Sequence, residues 1–186
     1  MSEQVIQYRD DLVRCFVDTE FYEDGTTIDL ISLGAVRSDG AEFYAVSAEA
    51  KLDRVSEWVR EHVLPQLPAL GDPAWQTRAQ IADGFARFMA GAGIGPERLP
   101  PVGETWGYYS DYDHVAISQL YGTMMGLPEH FPKYTMDLKQ LSRMVGSPKH
   151  PEQETGVHHA LHDARWNRDL FAFLRTVPSG ARRHGR

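Results

Sequence analysis

The sequence has a single cysteine, no long apolar run and no excess of basic residues. Cys15 is the only cysteine among 186 residues, so an internal disulfide is impossible and a reducing, cytoplasmic location is expected. No apolar stretch approaches the roughly 20 residues of a membrane-spanning helix, which predicts no membrane association. The polar beginning Met1-Ser2-Glu3-Gln4 also lacks the basic and apolar regions of a secretory signal.

The net charge of −7 argues against a basic face that wraps long duplex nucleic acid. It is compatible with a nuclease, because part of the acidity can be metal ligands and bound divalent cations reverse the local field. The length and the hydrophobic fraction of 42% fit one compact domain, predicted over residues 1–178. A flexible basic tail is expected over 179–186.

Apolar periodicity and turn signals predict an α/β fold. Three strands in antiparallel meander come first, and helices then alternate with short strands. This order predicts a mixed sheet that combines the meander with parallel strands and carries helices on both faces, with functional residues near strand ends. The predicted strands cover 14–19, 28–36, 41–46, 105–108 and 134–138; the helices cover 55–64, 77–92, 112–121, 139–145 and 160–177; loops cover 91–101 and a polar, mobile 148–156.

The first strand carries two carboxylates, Asp18 and Glu20. Residues two apart on a strand share a face, so both side chains project to the side of Phe16. Neighbouring carboxylates repel each other and resist burial, and Mg²⁺ and Mn²⁺ prefer such hard oxygen ligands. The pair therefore indicates a metal site, the alternative being two exposed acids at the end of a strand.

Asp113 lies where a predicted strand gives way to a helix. A carboxylate in the first helical turn is favoured by the helix dipole, and Asp111 is a competing candidate as the capping residue. Asp113 is the preferred site residue, because Tyr112 directly precedes it and the apolar segment 115–117 continues as a core-facing helix.

The last predicted helix carries a further acid on its apolar stripe. Asp163, Asn167 and Leu170 recur at helical spacing, which turns Asp163 toward the sheet. His158 lies five residues earlier, just before the helix, where it would reach the same cavity. A histidine there can accept a proton from water near neutral pH.

A zinc site is the alternative interpretation of this histidine-rich segment. His158 and His162 have the spacing of two zinc ligands on a helix. However, His159 stands where a zinc protease carries its glutamate, and no third ligand is evident, so this alternative is disfavoured. His159 and His162 are expected at the surface or beside the site.

Three motifs taken together resemble the DEDDh exonucleases of the ribonuclease H-like superfamily. They are Phe16-Val17-Asp18-Thr19-Glu20-Phe21, Tyr112-Asp113 and His158-x-Ala160-x-x-Asp163, and the resemblance extends over roughly 14–174. Within this family, segments 106–113 and 135–139 look most like the actinobacterial polyadenylate-specific 3′-exoribonucleases (RNase AS). In one departure, Tyr109 and Tyr112 occupy the Asn and Phe positions of the Asn-x-x-Phe-Asp pattern found in many relatives.

The resemblance implies a metal-dependent 3′-5′ exoribonuclease that releases nucleoside 5′-monophosphates from single-stranded RNA 3′ ends, with poly(A) tails as candidate substrates. It also implies two Mg²⁺ or Mn²⁺ ions per site. Asp18 would bridge both, Glu20 and Asp163 would hold the ion that binds the attacking water, and Asp113 would support the second. His158 would be the general base.

Contacts with the substrate and with a partner are less determined by the sequence. Phe21, with Thr19 beside it, is a candidate for contact with the terminal nucleotide, because aromatic rings commonly stack on single-stranded bases. The resemblance implies a homodimer; Trp58, Trp75 and Trp166 are candidates for a partner surface or, equally, for the core. The alternative functions are a DNA-directed 3′-5′ exonuclease of the same family and a catalytically silent nucleic-acid-binding module.

Overall fold

The structure, a computed structural model, describes residues 8–92, 99–153 and 155–178. The predicted basic tail over 179–186 lies outside these residues. So do residues 93–98 of the predicted 91–101 loop and residue 154 of the predicted polar segment.

The core of the molecule is a six-stranded mixed sheet with the order β4-β3-β2-β1-β5-β6. β1, β2 and β3 form the predicted antiparallel meander, whereas β5 runs parallel to β1, β6 to β5 and β4 to β3. The strands are β1 (Val13–Glu23), β2 (Ile28–Arg37), β3 (Glu42–Ser47), β4 (Trp75–Gln76), β5 (Val102–Gly107) and β6 (Met136–Asp137).

Helix boundaries follow capping signals in the sequence. Ser56 accepts a hydrogen bond from the backbone at the start of α1, Thr77 and Gln80 form a capping box on α2, and Asp137 caps α4. The helices are α1 (Glu57–His62), α2 (Arg78–Met89), α3 (Asp111–Leu120), α4 (Leu138–Met144) and α5 (Ala160–Thr176). None of the helices described is long and apolar enough to span a bilayer.

Helices cover both faces of the sheet. Cys15 and Val17 of β1 pack with α2 and α3 in one apolar cluster, and Phe16 packs with α4 and α5 in another. This arrangement confirms the predicted α/β fold with a mixed sheet between two helical layers, consistent with a ribonuclease H-like architecture. Cys15 is fully buried in the first of these clusters, and its burial raises the pKa of the thiol.

Several strand bounds differ from the predictions: β5 begins at Val102 instead of 105, and β6 covers Met136–Asp137 instead of 134–138. β1 continues past the predicted end at Thr19 to Glu23, because its pairing with β2 extends to the Glu23–Ile28 pair. A register shift then follows Glu20, which pairs with Ser32 while Phe21 pairs with Leu30, leaving Ile31 as an extra residue in β2. β4 was not predicted, since a strand of two residues has no readable period.

Candidate active site

A cavity of about 370 Å³ opens between β1, the segment before α5 and α5 itself. Three acids, one histidine and two aromatic residues dominate its wall: Asp18, Glu20, Asp163, His158, Tyr108 and Trp166. Asp18 and Glu20 project from β1 to the face that α5 covers, while Asp163 projects from the first turn of α5. The strand and the helix therefore bring together acids that lie more than 140 residues apart in the chain.

Close approach of α5 to the sheet depends on Gly34 of β2. Gly34 pairs with Asp18 across the ladder, so the two residues face the same side. A Cβ atom at position 34 would overlap the backbone of Ala160 and Leu161 at the start of α5. The beginning of α5 thus lies directly on the backbone of β2, beside the strand acids.

The tightest group of potential metal ligands consists of Glu20, His158 and Asp163. One donor atom from each lies within 4.8 Å of the other two. Asp18 lines the same cavity outside this tight group. Carboxylate oxygens dominate the set, and hard oxygen ligands are those that Mg²⁺ and Mn²⁺ prefer, so the residues fit the metal that the sequence predicts.

Asp113 lies behind the cavity wall, in contact with β1. Its Oδ1 atom accepts hydrogen bonds from the Thr19 backbone N at 2.8 Å and from Thr19 Oγ1 at 2.5 Å. Asp113 is buried, whereas Asp111 is exposed at the start of α3. Of the two candidates, Asp113 is therefore the one that faces the strand acids.

All four carboxyl groups resist ionisation in the metal-free protein. Burial, followed by repulsion from Asp163 and Asp113, raises the pKa of Glu20 to about 8. Burial and the other three acids raise the pKa of Asp18 well above its ordinary value.

Burial also dominates for the remaining two acids. It raises the pKa of Asp113 to about 7, although the two hydrogen bonds from Thr19 act in the opposite direction. It raises the pKa of Asp163 despite the opposing hydrogen bonds from Gln153 and from the His158 backbone. A bound cation would offset the mutual repulsion of these groups.

The backbone of His158 has a φ of 67°, which lies in the left-handed region that non-glycine residues seldom adopt. Asp163 Oδ2 accepts a hydrogen bond from the His158 backbone N at 3.0 Å, and Asp163 Oδ1 accepts one from Gln153 Nε2 at 2.6 Å. Asp163 thus positions the histidine as well as facing the cavity. Gln153 was missed by the sequence analysis, because one glutamine in a polar segment predicted to be mobile carries no distinguishing pattern.

The ring of His158 contacts two aromatic side chains of α1. The Trp58 ring lies edge-on to it with centroids 4.7 Å apart, and the His62 ring lies 6.0 Å away. Trp58 and His62 stack on each other, and Trp58 is half exposed. α1 reaches this position because Val59 and Val63 pack on Ile31, the extra residue of β2. Trp58 is therefore not a core residue but a neighbour of His158.

The remaining predicted residues lie around the cavity. Thr19 lines the cavity, and the Thr19 hydroxyl donates a hydrogen bond to Asp113. Phe21 stacks on Tyr112 with centroids 5.5 Å apart and is half-buried outside the wall. Trp166 lines the cavity and donates its indole N–H to Pro151 O, and Trp75 is half-buried in β4.

Neither His159 nor His162 is among the residues that line the cavity. His159 stacks on Tyr44 and on His162, with centroid distances of 4.5 Å and 4.4 Å. Among the described residues, neither histidine joins the ligand group of His158. The geometry offers no support for the zinc pair His158 and His162.

Comparison with known proteins identifies the family to which this chain belongs. The family model described as the Rv2179c-like 3′-5′ exoribonuclease domain matches residues 13–174. Two relatives from Mycobacterium tuberculosis, named 3′-5′ exoribonuclease MT2234.1 (strain CDC 1551 / Oshkosh) and 3′-5′ exoribonuclease Rv2179c (strain ATCC 25618 / H37Rv), are each 41% identical over 170 residues. The alignments cover 91% of this chain and 98% of each relative. The chain therefore belongs to the Rv2179c-like family and is a 3′-5′ exoribonuclease.

Proposed function

We propose that this exoribonuclease hydrolyses single-stranded RNA from its 3′ end with two divalent cations, Mg²⁺ or Mn²⁺, and releases nucleoside 5′-monophosphates. The observation that carries the proposal is the donor group of Glu20, His158 and Asp163, whose atoms lie within 4.8 Å of one another. Asp18 shares their cavity; burial and repulsion between the acids raise the pKa of Asp18 and Glu20, and burial alone raises that of Asp163.

The four acids have distinct proposed roles. Asp18 would contact both ions, Glu20 and Asp163 would hold the ion of the attacking water, and Asp113 would support the other ion from behind Thr19. When bound, such ions stabilise the attacking and leaving oxygens of an in-line displacement. Their positions on β1, α3 and α5 favour these roles, since all three elements are anchored in the core.

His158 is the proposed general base. Its imidazole faces Glu20 and Asp163, its backbone N–H is held by Asp163, and its ring is flanked by Trp58 and His62. In this role it would take the proton of the water that attacks the terminal phosphodiester. A fixed ring orientation favours proton transfer, because the nitrogen must lie within hydrogen-bond reach of that water.

For the substrate we propose poly(A) 3′ tails, because the resemblance to the polyadenylate-specific enzymes includes segments 106–113 and 135–139. Phe21, with Thr19, is the proposed contact with the terminal nucleotide, and the half-buried Phe21 ring beside Tyr112 is compatible with base stacking. The homodimer stays a prediction of the same resemblance. The cytoplasmic location stays a prediction from the single cysteine.

Digestion of matched RNA and DNA homopolymers tests this proposal. Oligoadenylate labelled at its 5′ end should shorten stepwise with Mg²⁺ or Mn²⁺, release AMP and resist digestion in EDTA. Cleavage that persists in EDTA would contradict the metal mechanism. Faster digestion of the DNA strand would instead establish the DNA-directed alternative, and no digestion with either metal would establish a silent binding module.

A further inference from the structure

Beside the acids, the cavity wall continues into a cluster of two tyrosines and one lysine. Tyr108 lines the cavity, and its hydroxyl accepts a hydrogen bond from Lys139 Nζ at 3.2 Å. Lys139 Nζ also lies 5.7 Å from the Tyr108 ring centroid and 5.6 Å from that of Tyr109. We refer to Tyr108, Tyr109 and Lys139 as the tyrosine–lysine cluster.

Asp137 joins the two segments that carry this cluster. Its Oδ2 atom accepts a hydrogen bond from the Ser110 backbone N at 3.1 Å, in the turn after β5. Its Oδ1 atom accepts one from the Gln140 backbone N at 2.7 Å, at the start of α4. Asp137 therefore joins the turn that carries Tyr109 to the helix that carries Lys139, in addition to the hydrogen bond between Lys139 and Tyr108.

Tyr109 combines strain with exposure. Its φ of 57° lies in the left-handed region, which is unfavourable for a bulky residue and is commonly found at functional sites. Its side chain is 63% exposed although it is a large aromatic. The strained backbone therefore exposes this ring to solvent next to Tyr108, which lines the cavity and whose ring centroid lies 4.8 Å away.

Lys139 supplies a positive charge that the acidic cavity lacks. Among the residues that the structure describes, neither lysine nor arginine lines the cavity, whereas three carboxylates do. Arg165, next to Trp166 in the chain, is engaged by Glu42 at 2.6 Å. Within the described parts of the chain, Lys139 makes no ion pair, and the hydrogen bond to the Tyr108 hydroxyl is the main cause that raises its pKa, so it stays charged.

We propose that Tyr109 and Lys139 form a subsite for the RNA strand on the 5′ side of the scissile bond. The Tyr109 ring stacks on a base, and the Lys139 ammonium group, oriented by Tyr108, binds a backbone phosphate. An exposed aromatic ring beside a lysine is the combination that holds single-stranded nucleic acid without reading its sequence. This inference rests on the exoribonuclease mechanism proposed above.

Two variants with matched controls test the subsite. Tyr109→Asn removes the ring but suits the left-handed backbone, since asparagine adopts it readily; Tyr109→Phe keeps the ring. Lys139→Gln removes the charge, and Arg87→Gln removes an equal charge from the exposed surface of α2, on the opposite face of the sheet.

The substrates are an adenylate hexamer and the p-nitrophenyl ester of AMP, which has no upstream nucleotide, each assayed with Mn²⁺. We expect Tyr109→Asn to raise KM for the hexamer about 10-fold with little change in kcat. Lys139→Gln should also raise KM for the hexamer, and it should reduce the slope of log KM against log salt concentration by about 0.7. Hydrolysis of the ester should not change, and both control variants should behave as the unmodified protein.

Three results separate success from failure. An unchanged hexamer KM in both variants would overturn the subsite, as would an equal loss on the hexamer and on the ester. Failure of the unmodified protein to cleave the hexamer with metal would instead contradict the proposed function itself.

Discussion

The two sides of the cavity are built in different ways. Asp18 and Glu20 belong to β1, a central strand paired with β2 along one edge and with β5 along the other. His158 belongs to a short segment before α5, where its backbone has a positive φ and its ring is held by Trp58 and His62. One side is fixed by the sheet ladder and the other by side-chain contacts.

Because of this difference, the proposed metal ligands on β1 and the proposed general base His158 should respond differently to substitution. The strand acids are kept close despite their repulsion, because the ladder cannot relax without losing its hydrogen bonds. The histidine is placed by contacts that a substitution can remove without disturbing the sheet. Changes on the strand side should therefore affect metal binding and stability together, and changes on the histidine side should affect turnover alone.

Asp18→Asn should have the largest effect. Removal of the proposed bridging carboxylate should reduce metal-dependent cleavage at least about 10³-fold, since metal stabilisation of the transition state is worth several kcal/mol. The same variant should melt at a higher temperature than the unmodified protein in EDTA near pH 8, because the amide replaces a carboxyl group whose ionised form burial and the neighbouring acids disfavour. Retained cleavage would contradict the two-metal proposal, and a lower melting temperature would contradict the electrostatic argument.

His158→Ala should reduce kcat by about 10²–10⁴-fold, the usual contribution of a positioned general base. Mn²⁺ affinity, measured by calorimetry, should change little, whereas Asp163→Asn as a control should weaken it. If His158→Ala weakens Mn²⁺ binding as much as Asp163→Asn does, the histidine is a ligand and not a base.

The metal-free protein should lose stability as pH rises. Burial raises the folded-state pKa of Glu20 from 4.5 to about 8 and that of Asp113 from 3.8 to about 7. The folded state therefore binds more protons than the unfolded state between these values. The free energy of unfolding should fall by up to about 1.4 kcal/mol per pH unit for Glu20 between pH 4.5 and about 8, and by a similar slope for Asp113 between pH 3.8 and about 7.

Urea unfolding in EDTA at several pH values measures this slope. Glu20→Gln should flatten it, and Mn²⁺ should remove most of it at the alkaline end by stabilising the ionised carboxylates. A metal-free protein that is as stable at pH 8 as at pH 5 would show that the acids are less desolvated than their burial indicates.

Trp58→Ala should have the smallest effect. The ring that holds His158 in place is lost, so kcat should fall several-fold, while Trp58→Phe should preserve most of it. The melting temperature should change little, because Trp58 is half exposed. A large loss of stability with unchanged kcat would mean that Trp58 supports α1 and does not position His158.

Sequence patterns predicted those parts of the molecule that depend on local periodicity. Strand alternation put Asp18 and Glu20 on one face, and helical spacing turned Asp163 toward the sheet; the structure brings all three to one cavity. The mixed sheet with helices on both faces is confirmed for the same reason. These features depend on spacing along one element, which a sequence displays directly.

Features that depend on contacts between distant segments were not predicted. Trp58 reaches His158 only because Val59 and Val63 pack on Ile31, whose orientation results from a register shift in β2. Gln153 acts through one hydrogen bond from a segment without regular structure. β1 extends past its predicted end because Ile28 and its neighbours in β2 continue the pairing. None of these contacts is marked in the sequence by a periodic pattern or a motif.

The contact at Gly34 limits which sequence changes can rescue one another. Its backbone needs no positive φ, so local conformation does not demand glycine there. The atoms that exclude a side chain are backbone atoms of Ala160 and Leu161, which are present whatever residues occupy those positions. A side chain at position 34 would therefore push the start of α5, with Asp163, away from the strand acids, and a smaller residue at position 160 or 161 would not restore the contact.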